Sequence, residues 1–584
     1  MLLVIAVTLG TVLLGLAVLA LLEMRELGIT WVQALALAPL KALFRIDTHG
    51  LSAQSRRCGP VIYAISEQSK LDPAVCLAAL PNDTLHVLDP VSAQHWPTSW
   101  YRDLARTVVF DKEKMISNRR LVRHLKGGGR LAVYFPAGVE PDAKTFRLYR
   151  AITLLARMAG ARIEPIHIRN ARFLPSSFTP ASKAPRQRFP ELSIHALPAM
   201  DMNALIEARG REFSSPANAL FDRMAQTRME TTDFSVGLFK ALVNAALTYG
   251  PSRVILEDTV TGTLTFKRAL IGARVLGKRF AGMSAPGEAV GILLPNANGA
   301  VVSFFGLQSV GRVAAMLNYT AGPANVVSAV DTGGVKTVLS SRAFIEKADL
   351  QPVIDALEAH GTRIVWLDEL RETITTVEKL SAALLWRKPI VAVDAEKPAV
   401  ILYTSGSEGT PKGVVLSHRN MHVNAAQSEA RVDISVEDCL FNVLPVFHSF
   451  GLTGGTILPL FYGVKLFLYP SPLHYKLIPA VAAKVKPTIM FGTDTFLNGY
   501  ARTAKDTDFE SLRFVVAGAE AVKRETAETY MKRFGCWILE GFGMTEAAPV
   551  VAVNSTTHTR PGTVGRILPG IDVRLEPVDG IDDG

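Results

Sequence analysis

Residues 403–413 read YTSGSEGTPKG and follow directly on the apolar run PAVIL (398–402). The stretch holds three glycines, a lysine and the hydroxyls of Thr404, Ser405, Ser407 and Thr410. An apolar run of this length bounded by glycine predicts a buried strand whose carboxyl end releases the loop. In open α/β sheets ligands gather at such ends. Glycines let backbone N–H groups close on an anion, the hydroxyls donate further bonds, and Lys412 adds a point charge suited to polyphosphate. The spacing G-x-x-x-x-G-K-[ST] of a Walker A loop is absent. Taken alone, the stretch is either an ordinary surface loop or a phosphate cradle, and its surroundings must decide.

Working outward, a long α/β pattern begins near residue 235. Strands are expected at 289–295 (AVGILLP), 336–341 (KTVLSS), 398–404 (PAVILYT) and 512–518 (LRFVVAG). Helices are expected at 265–279, 417–430 and 475–484. Residues 50–200 alternate apolar runs (PVIYAI, RLAVYF, ARIEPIHI) with helical stretches such as 145–158, which predicts a separate α/β unit. Residues 176–190, SSFTPASKAPRQRFP, read as a surface loop. The chain of 584 residues exceeds one ordinary domain. Its expected division is an anchor at 1–24, a first domain at 25–200, a linker at 201–235 and a second domain at 236–584.

Residues 1–22, MLLVIAVTLGTVLLGLAVLALL, carry no charge. As a helix they would span about 33 Å, enough for a hydrocarbon core of about 30 Å. A cleaved signal peptide would place basic residues before the apolar run, and none precede it. An N-terminal membrane anchor is therefore expected. Arg25, Lys41 and Arg45 follow it and put the body on the cytoplasmic side of a bacterial inner membrane. Residues 34–44 read as an interfacial helix.

With 48% hydrophobic and 20% charged residues the chain is of the folded class, and its mean hydropathy of +0.22 points to membrane association. Cys58, Cys76, Cys439 and Cys536 show neither metal-ligand spacing nor a dense framework, which favours a reducing compartment and buried thiols. The net charge is +10, yet residues 101–190 alone hold 19 Lys and Arg against 6 Asp and Glu. That excess is either a solvated basic face or one drawn to anionic headgroups or an acidic partner. No nucleic-acid motif accompanies it, so nucleic acid is not an expected partner.

Five segments in order give the loop its context. After Thr404–Gly413 come LPVFHSFG (444–451), FVVAGAE (514–520), LEGFGMTE (539–546) and RPGTVGRILPGIDVRL (560–575). Together they resemble the adenylate-forming superfamily of acyl-CoA synthetases, luciferases and peptide-synthetase adenylation domains. The resemblance implies ATP and Mg²⁺. Phosphates would lie on Thr404, Ser405, Gly406, Ser407, Gly409, Lys412 and Gly413, with Lys412 on the β- and γ-phosphates. Adenine would sit in a slot made by Gly518, Ala519 and Glu520 with Gly541, Phe542, Gly543 and Met544. Thr545 would contact the α-phosphate, Glu546 would hold the metal, and His448 would orient the substrate carboxylate. The superfamily's small C-terminal domain, with its hinge aspartate and second lysine, would follow the point where this sequence ends; no lysine follows Lys532.

In the first half, ISEQSKLDPAV (65–75) resembles the H-x-x-x-x-D motif of glycerolipid acyltransferases, and RLAVYFPAGVE (130–140) resembles their F-P-E-G motif. The two modules together resemble the bifunctional 2-acylglycerophosphoethanolamine acyltransferase/acyl-[acyl carrier protein] synthetases. The departures fall on catalytic positions. Glu67 stands for the histidine although Asp72 is kept, Lys112 stands for an arginine, and Ala137 replaces the glutamate between Pro136 and Gly138. A histidine held by aspartate can take a hydroxyl proton near neutral pH, whereas two carboxylates repel each other's charge. The module is thus expected to be degenerate while still meeting phospholipid or lysophospholipid at a membrane surface, an active lysophospholipid acyltransferase being the alternative. For the second half the resemblance implies long-chain fatty acid as substrate and an acyl carrier protein as acceptor, coenzyme A being the alternative. A non-catalytic scaffold with both modules decayed is the alternative of another class.

Overall fold

The computed structural model describes residues 2–51, 59–88, 107–109, 119–136, 143–181, 184–201, 216–405, 411–432, 434–555, 559–574 and 576. Two compact units divide the chain at Thr232/Asp233.

In the first unit the described strands form one sheet, in the order Asp47–His49, Ser193–Ala196, Arg162–Arg169, Val61–Glu67, Arg130–Pro136, Thr84–Leu88, Thr107–Val109. The central strands run parallel, with Val61–Glu67 between Arg130–Pro136 and Arg162–Arg169. Their cores are near-continuous apolar runs, as a sheet covered on both faces requires. The helix expected at 145–158 runs Ala143–Ala159.

The expected linker 201–235 needs correction. Residues 216–230 form a helix, Pro216–Glu230, whose Leu220, Phe221 and Met224 are buried. Phe221 meets Tyr149 edge-on at 5.6 Å. In the sequence, Asn218, Asp222 and Gln226 interrupt the apolar periodicity of this stretch.

At the N-terminus a helix runs Leu2–Leu27, past the uncharged stretch and through Glu23, Arg25 and Glu26. Among the described residues no single helix is long and apolar enough to cross a membrane. Ala17–Leu27 and Trp31–Phe44 reach that length and composition together, bent by 115°. The Trp31–Phe44 helix begins at a Thr30/Gln33 capping box. It buries Ala34, Leu37 and Ala38, while Gln33 Nε2 donates to the carbonyls of Leu77 and Leu80. Trp31, Val32, Leu35 and Leu43 stay exposed. Lys41 and the buried Glu23 form an ion pair between the two helices.

The second unit holds two sheets. In the six-stranded one, Arg363–Trp366, Thr337–Ser340, Ala289–Ile292, Val313–Met316 and Pro398–Ser405 lie parallel in that order, and Pro411–Ser417 closes the edge antiparallel. All four expected strands form. In the nine-stranded sheet Trp537–Gly543, Phe514–Ala517, Ile489–Gly492, Cys439–Asn442, Lys465–Leu468 and Val254–Asp258 run parallel. Antiparallel strands extend it at both edges.

The helix expected at 417–430 is His418–Glu429, with Ser417 and Asn420 forming its capping box. That expected at 265–279 is Phe266–Ala281, started by the Thr265 hydroxyl. The helix expected at 475–484 instead runs Ile478–Val485. Pro479 must sit in a first turn, where its missing N–H costs nothing, so Tyr475 is left in a preceding turn. Cys76 and Cys536 are buried free thiols and Cys439 is a half-buried one.

Candidate active site

The parallel strands of both sheets in the second unit, Pro398–Ser405 excepted, point their carboxyl ends at one cavity of about 2070 Å³; Thr404, Lys412, Gly413 and Glu546 are not among its described lining residues. From the nine-stranded sheet it is lined by segments that leave five strand ends: 258–261, 444–451, 470–474, 493–496 and 517–520, together with Gly541–Thr545. From the six-stranded sheet come 294–300, Tyr319, Ser341 and Leu367. This is the crevice where open α/β sheets take their ligands.

The residues expected in the adenine slot are brought together. Ala517 and Glu540 are register partners on adjacent strands, so Gly518 and Gly541 emerge side by side. A Cβ on Gly518 would lie 3.3 Å from the Gly541 carbonyl, and one on Gly543 would lie 2.5 Å from the Pro549 carbonyl. Ala519 takes a left-handed φ of 69° and turns the chain away from the sheet. Phe542 and Met544 are exposed along the same edge. Desolvation works against a charge on Glu520, but the Thr495 N–H at 2.8 Å, the Thr493 hydroxyl and the Thr495 hydroxyl at 3.0 Å hold its carboxyl below the usual range. Glu520 therefore steadies the start of the Asp494–Thr503 helix as well as lining the cavity.

His448 stands in the cavity wall between Phe447 and Ser449, its ring 4.8 Å from that of Phe447. His448 is exposed in the cavity wall, yet the protein atoms packed around its ring partly desolvate it and lower its pKa. A neutral imidazole can donate one hydrogen bond and accept another. The next residue, Ser449, is buried, and its hydroxyl lies 3.3 Å from that of Thr545. The segments 444–451 and 539–546 are thereby joined between Thr545, expected on the α-phosphate, and the neighbour of His448, expected on the carboxylate.

Thr404 and Lys412 are cross-strand partners in the hairpin of Pro398–Ser405 with Pro411–Ser417, as are Tyr403 and Gly413. Gly406, Ser407 and Gly409 fall outside the described residues, and of Ser405 only the backbone is described. The second hairpin strand lies against the Thr545–Ala547 turn. Lys412 and Glu546 are both exposed there, and among the described residues neither has an ion-pair partner. No group of three His, Cys, Asp or Glu among the described residues could hold a metal by itself. One uncommitted carboxylate beside a phosphate hairpin suits Mg²⁺, which binds through one or two carboxylates plus substrate phosphates.

Two asparagines that sequence reasoning passed over set the geometry. Asn296, buried beyond Ala289–Ile292, donates to the Leu444 carbonyl at 2.5 Å and accepts from the Val446 N–H at 2.8 Å. It ties one sheet to the histidine-bearing loop of the other. Asn442, also buried, accepts from the Leu444 N–H at 3.0 Å and donates to the Gly451 carbonyl at 3.0 Å. A polar residue ending an apolar strand was the only available signal for either. The chain after His448 is π-helical from Phe450 to Ile457, a form that concentrates at functional sites.

In the first unit Glu67 and Asp72 are both buried at the carboxyl end of the central strand. Burial raises the Asp72 pKa to about 7, although the Ser69 hydroxyl at 2.5 Å and the N–H groups of Gln68 and Ser69 lower it. Asp72 is thus committed to its own turn. His167, buried and 3.4 Å from Gln68 Nε2, and His86, 2.9 Å from the Tyr134 hydroxyl, have pKa values lowered to about 3 by desolvation. Pro136 ends its strand, while Lys112, Ala137 and Gly138 lie outside the described residues.

Glycine-bearing strand ends, His448 and Thr545 around one crevice, with the hairpin strand that carries Lys412 packed against the Thr545–Ala547 turn, give the chain the site architecture of a nucleotide-binding α/β protein. Residues 244–581 match the family model of AMP-binding enzymes. The chain belongs to that family.

Among its relatives, a long-chain-fatty-acid–CoA ligase of Salmonella typhimurium is 27% identical over 318 residues, 50% of this chain and 57% of the relative. One of Yersinia pestis is 27% identical over 376 residues, 59% and 66% respectively. The 4-coumarate–CoA ligase 2 of Nicotiana tabacum is 26% identical over 302 residues, 50% and 55%. The chain thus spans little more than half the length of the curated relatives it matches. Of solved structures, the anthranilate–CoA ligase AuaEII with anthranoyl-AMP superposes with a TM-score of 0.51 at 21% identity, over 59% of this chain and 66% of that one. A benzoate–CoA ligase of Burkholderia xenovorans LB400 gives 0.50 at 24%, over 57% and 66%.

Proposed function

We propose that this chain activates long-chain fatty acids with ATP through an acyl-adenylate. The observation that carries the proposal is the cavity on which both sheets converge. It is lined both by the residues of the expected adenine slot, Thr545 and His448 and by the apolar side chains of Ile271, Val275, Leu276 and Phe344. The substrate carboxylate, oriented by His448, attacks the α-phosphate and expels pyrophosphate; a thiol then takes the acyl group and releases AMP. The chain's contribution to the first step is positioning and charge. Lys412 holds the outer phosphates, Thr545 the α-phosphate, and Glu546 would hold Mg²⁺, which when bound neutralises phosphate charge.

Coenzyme A is the acceptor supported by the names of the relatives. An acyl carrier protein is the acceptor of the bifunctional family resembled by the whole sequence. The test of activation is independent of that choice. Long-chain fatty acid should stimulate ATP–pyrophosphate exchange, and calorimetry should detect ATP binding; absence of both would leave a non-catalytic scaffold.

For the first unit we propose a degenerate acyltransferase module that meets phospholipid without acylating it. Asp72 spends its oxygens on Ser69 and Gln68, and Glu67 offers a buried carboxylate where a neutral base is needed. Lysophospholipid acylation with acyl donor supplied should stay at background. Turnover that disappears in Glu67→Ala would overturn the proposal. With residues 1–24 as an anchor, the body would face the cytoplasm at a bacterial inner membrane.

A further inference from the structure

The helix Thr376–Leu385 is built inside out. Its start is secured by a Thr375/Glu378 capping box, and Arg279 clamps it by donating to Glu378 Oε2 at 2.8 Å and to the Thr373 carbonyl at 2.9 Å. It lies on the helix Phe266–Ala281 and buries only Ala382 there. The large aliphatic side chains face the other way, with Val377 77% exposed, Leu380 61% and Leu384 75%. At 3.6 residues per turn these three share an arc of about 60°. Scattered surface leucines are ordinary, but an aligned aliphatic stripe on a well-capped helix marks an interaction face.

The surrounding charge selects the partner. The supporting helix carries Lys267, Arg268, Arg274, Lys278 and Arg279 and no acidic residue. On the stripe's own helix the sole carboxylate, Glu378, is already paired with Arg279. Apolar residues flanked by cations whose stems can lie along a surface are the composition of an interfacial helix. The stripe has no aromatic anchor of the kind that dominates protein–protein contacts. Lys379 of the same helix, with Arg371 and Ile374 just before it, lines the cavity.

We propose that Val377, Leu380 and Leu384 insert at the headgroup–acyl boundary of an anionic bilayer, with Lys267 and Lys278, exposed on the supporting helix, reaching the headgroups. The cavity lined by Arg371, Ile374 and Lys379 then lies close to the lipid from which an acyl substrate would come, a consequence that rests on the fatty-acid function proposed above. The contact belongs to the second unit and is separate from the N-terminal anchor.

Because the N-terminal helix could hold the chain on vesicles by itself, the test must read the helix locally. Hydrogen–deuterium exchange of the full chain, co-floated with vesicles of phosphatidylcholine and phosphatidylglycerol, should show amides 373–388 slowed on the order of tenfold. Pure phosphatidylcholine should give no slowing. Leu380→Glu/Leu384→Glu should remove the protection while leaving ATP–pyrophosphate exchange with detergent-dispersed fatty acid unchanged. Unslowed amides on anionic vesicles that carry the chain would overturn the proposal. So would slowing produced only by an acidic protein such as an acyl carrier protein, which would assign the face to a protein partner. Protection on vesicles with no exchange activity would leave the docking intact and remove the fatty-acid function instead.

Discussion

Glu546→Gln is expected to lower fatty-acid-stimulated ATP–pyrophosphate exchange by about 10²–10³-fold, the loss seen when one preorganised group aimed at transition-state charge is removed. Glu546 is exposed on the short Thr545–Ala547 turn, and among the described residues no cation pairs with it. The substitution keeps the shape of the side chain and removes a charge that stabilises nothing else nearby. Unfolding free energy should therefore change by less than about 0.5 kcal/mol. The split between intact stability and lost exchange is what a metal-holding carboxylate requires. A higher Mg²⁺ concentration for half-maximal ATP binding, read by calorimetry, should accompany it. Exchange retained within about threefold would remove Glu546 from the site.

Asn442→Leu should act in the opposite manner, through the fold. The substitution keeps volume but leaves the Leu444 N–H without its side-chain acceptor, while the Gly451 carbonyl loses one donor and keeps the Thr456 hydroxyl at 2.9 Å. An orphaned buried donor costs about 1–3 kcal/mol and the weakened acceptor about 1 more. Denaturant unfolding should show a loss of about 2–4 kcal/mol in the second unit. His448 sits on the loop between those two bonds, so the apparent KM for fatty acid should rise while ATP affinity measured by calorimetry stays near the original. Unchanged stability would show that the loop finds other partners. Equal losses for fatty acid and ATP would show that Asn442 supports the whole cavity rather than the histidine.

Much of the second unit was legible residue by residue. Buried parallel strands read as apolar runs because both of their faces are covered, as at Pro398–Ser405 and Phe514–Ala517. The helices expected from Thr265 and Ser417 form there, each started by a cap whose side-chain chemistry acts within one turn. The helix Pro216–Glu230 was missed because its burial depends on Tyr149 and other residues far away in sequence. Asn296 and Asn442 were missed for the same reason. An asparagine after a strand has local bonding options, and only the approach of 444–451 uses both ends of its amide.

By itself the sequence determined the α/β class, the order of the five nucleotide segments and the residue types they bring. Each of these depends on neighbours in the chain, on period, spacing and side-chain chemistry. It also placed uncharged residues 1–22 at the N-terminus and carboxylates where an acyltransferase would need an imidazole. Tertiary structure alone decided that the carboxyl ends of two separate sheets share one cavity, and that Ser449 joins the histidine segment to Thr545. It also decided that the leucines of Thr376–Leu385 face outward. In sequence that helix is an ordinary amphipathic pattern, and which side is covered depends on where Phe266–Ala281 lies. Direction of burial is a property of packing between distant segments, and no local pattern encodes it.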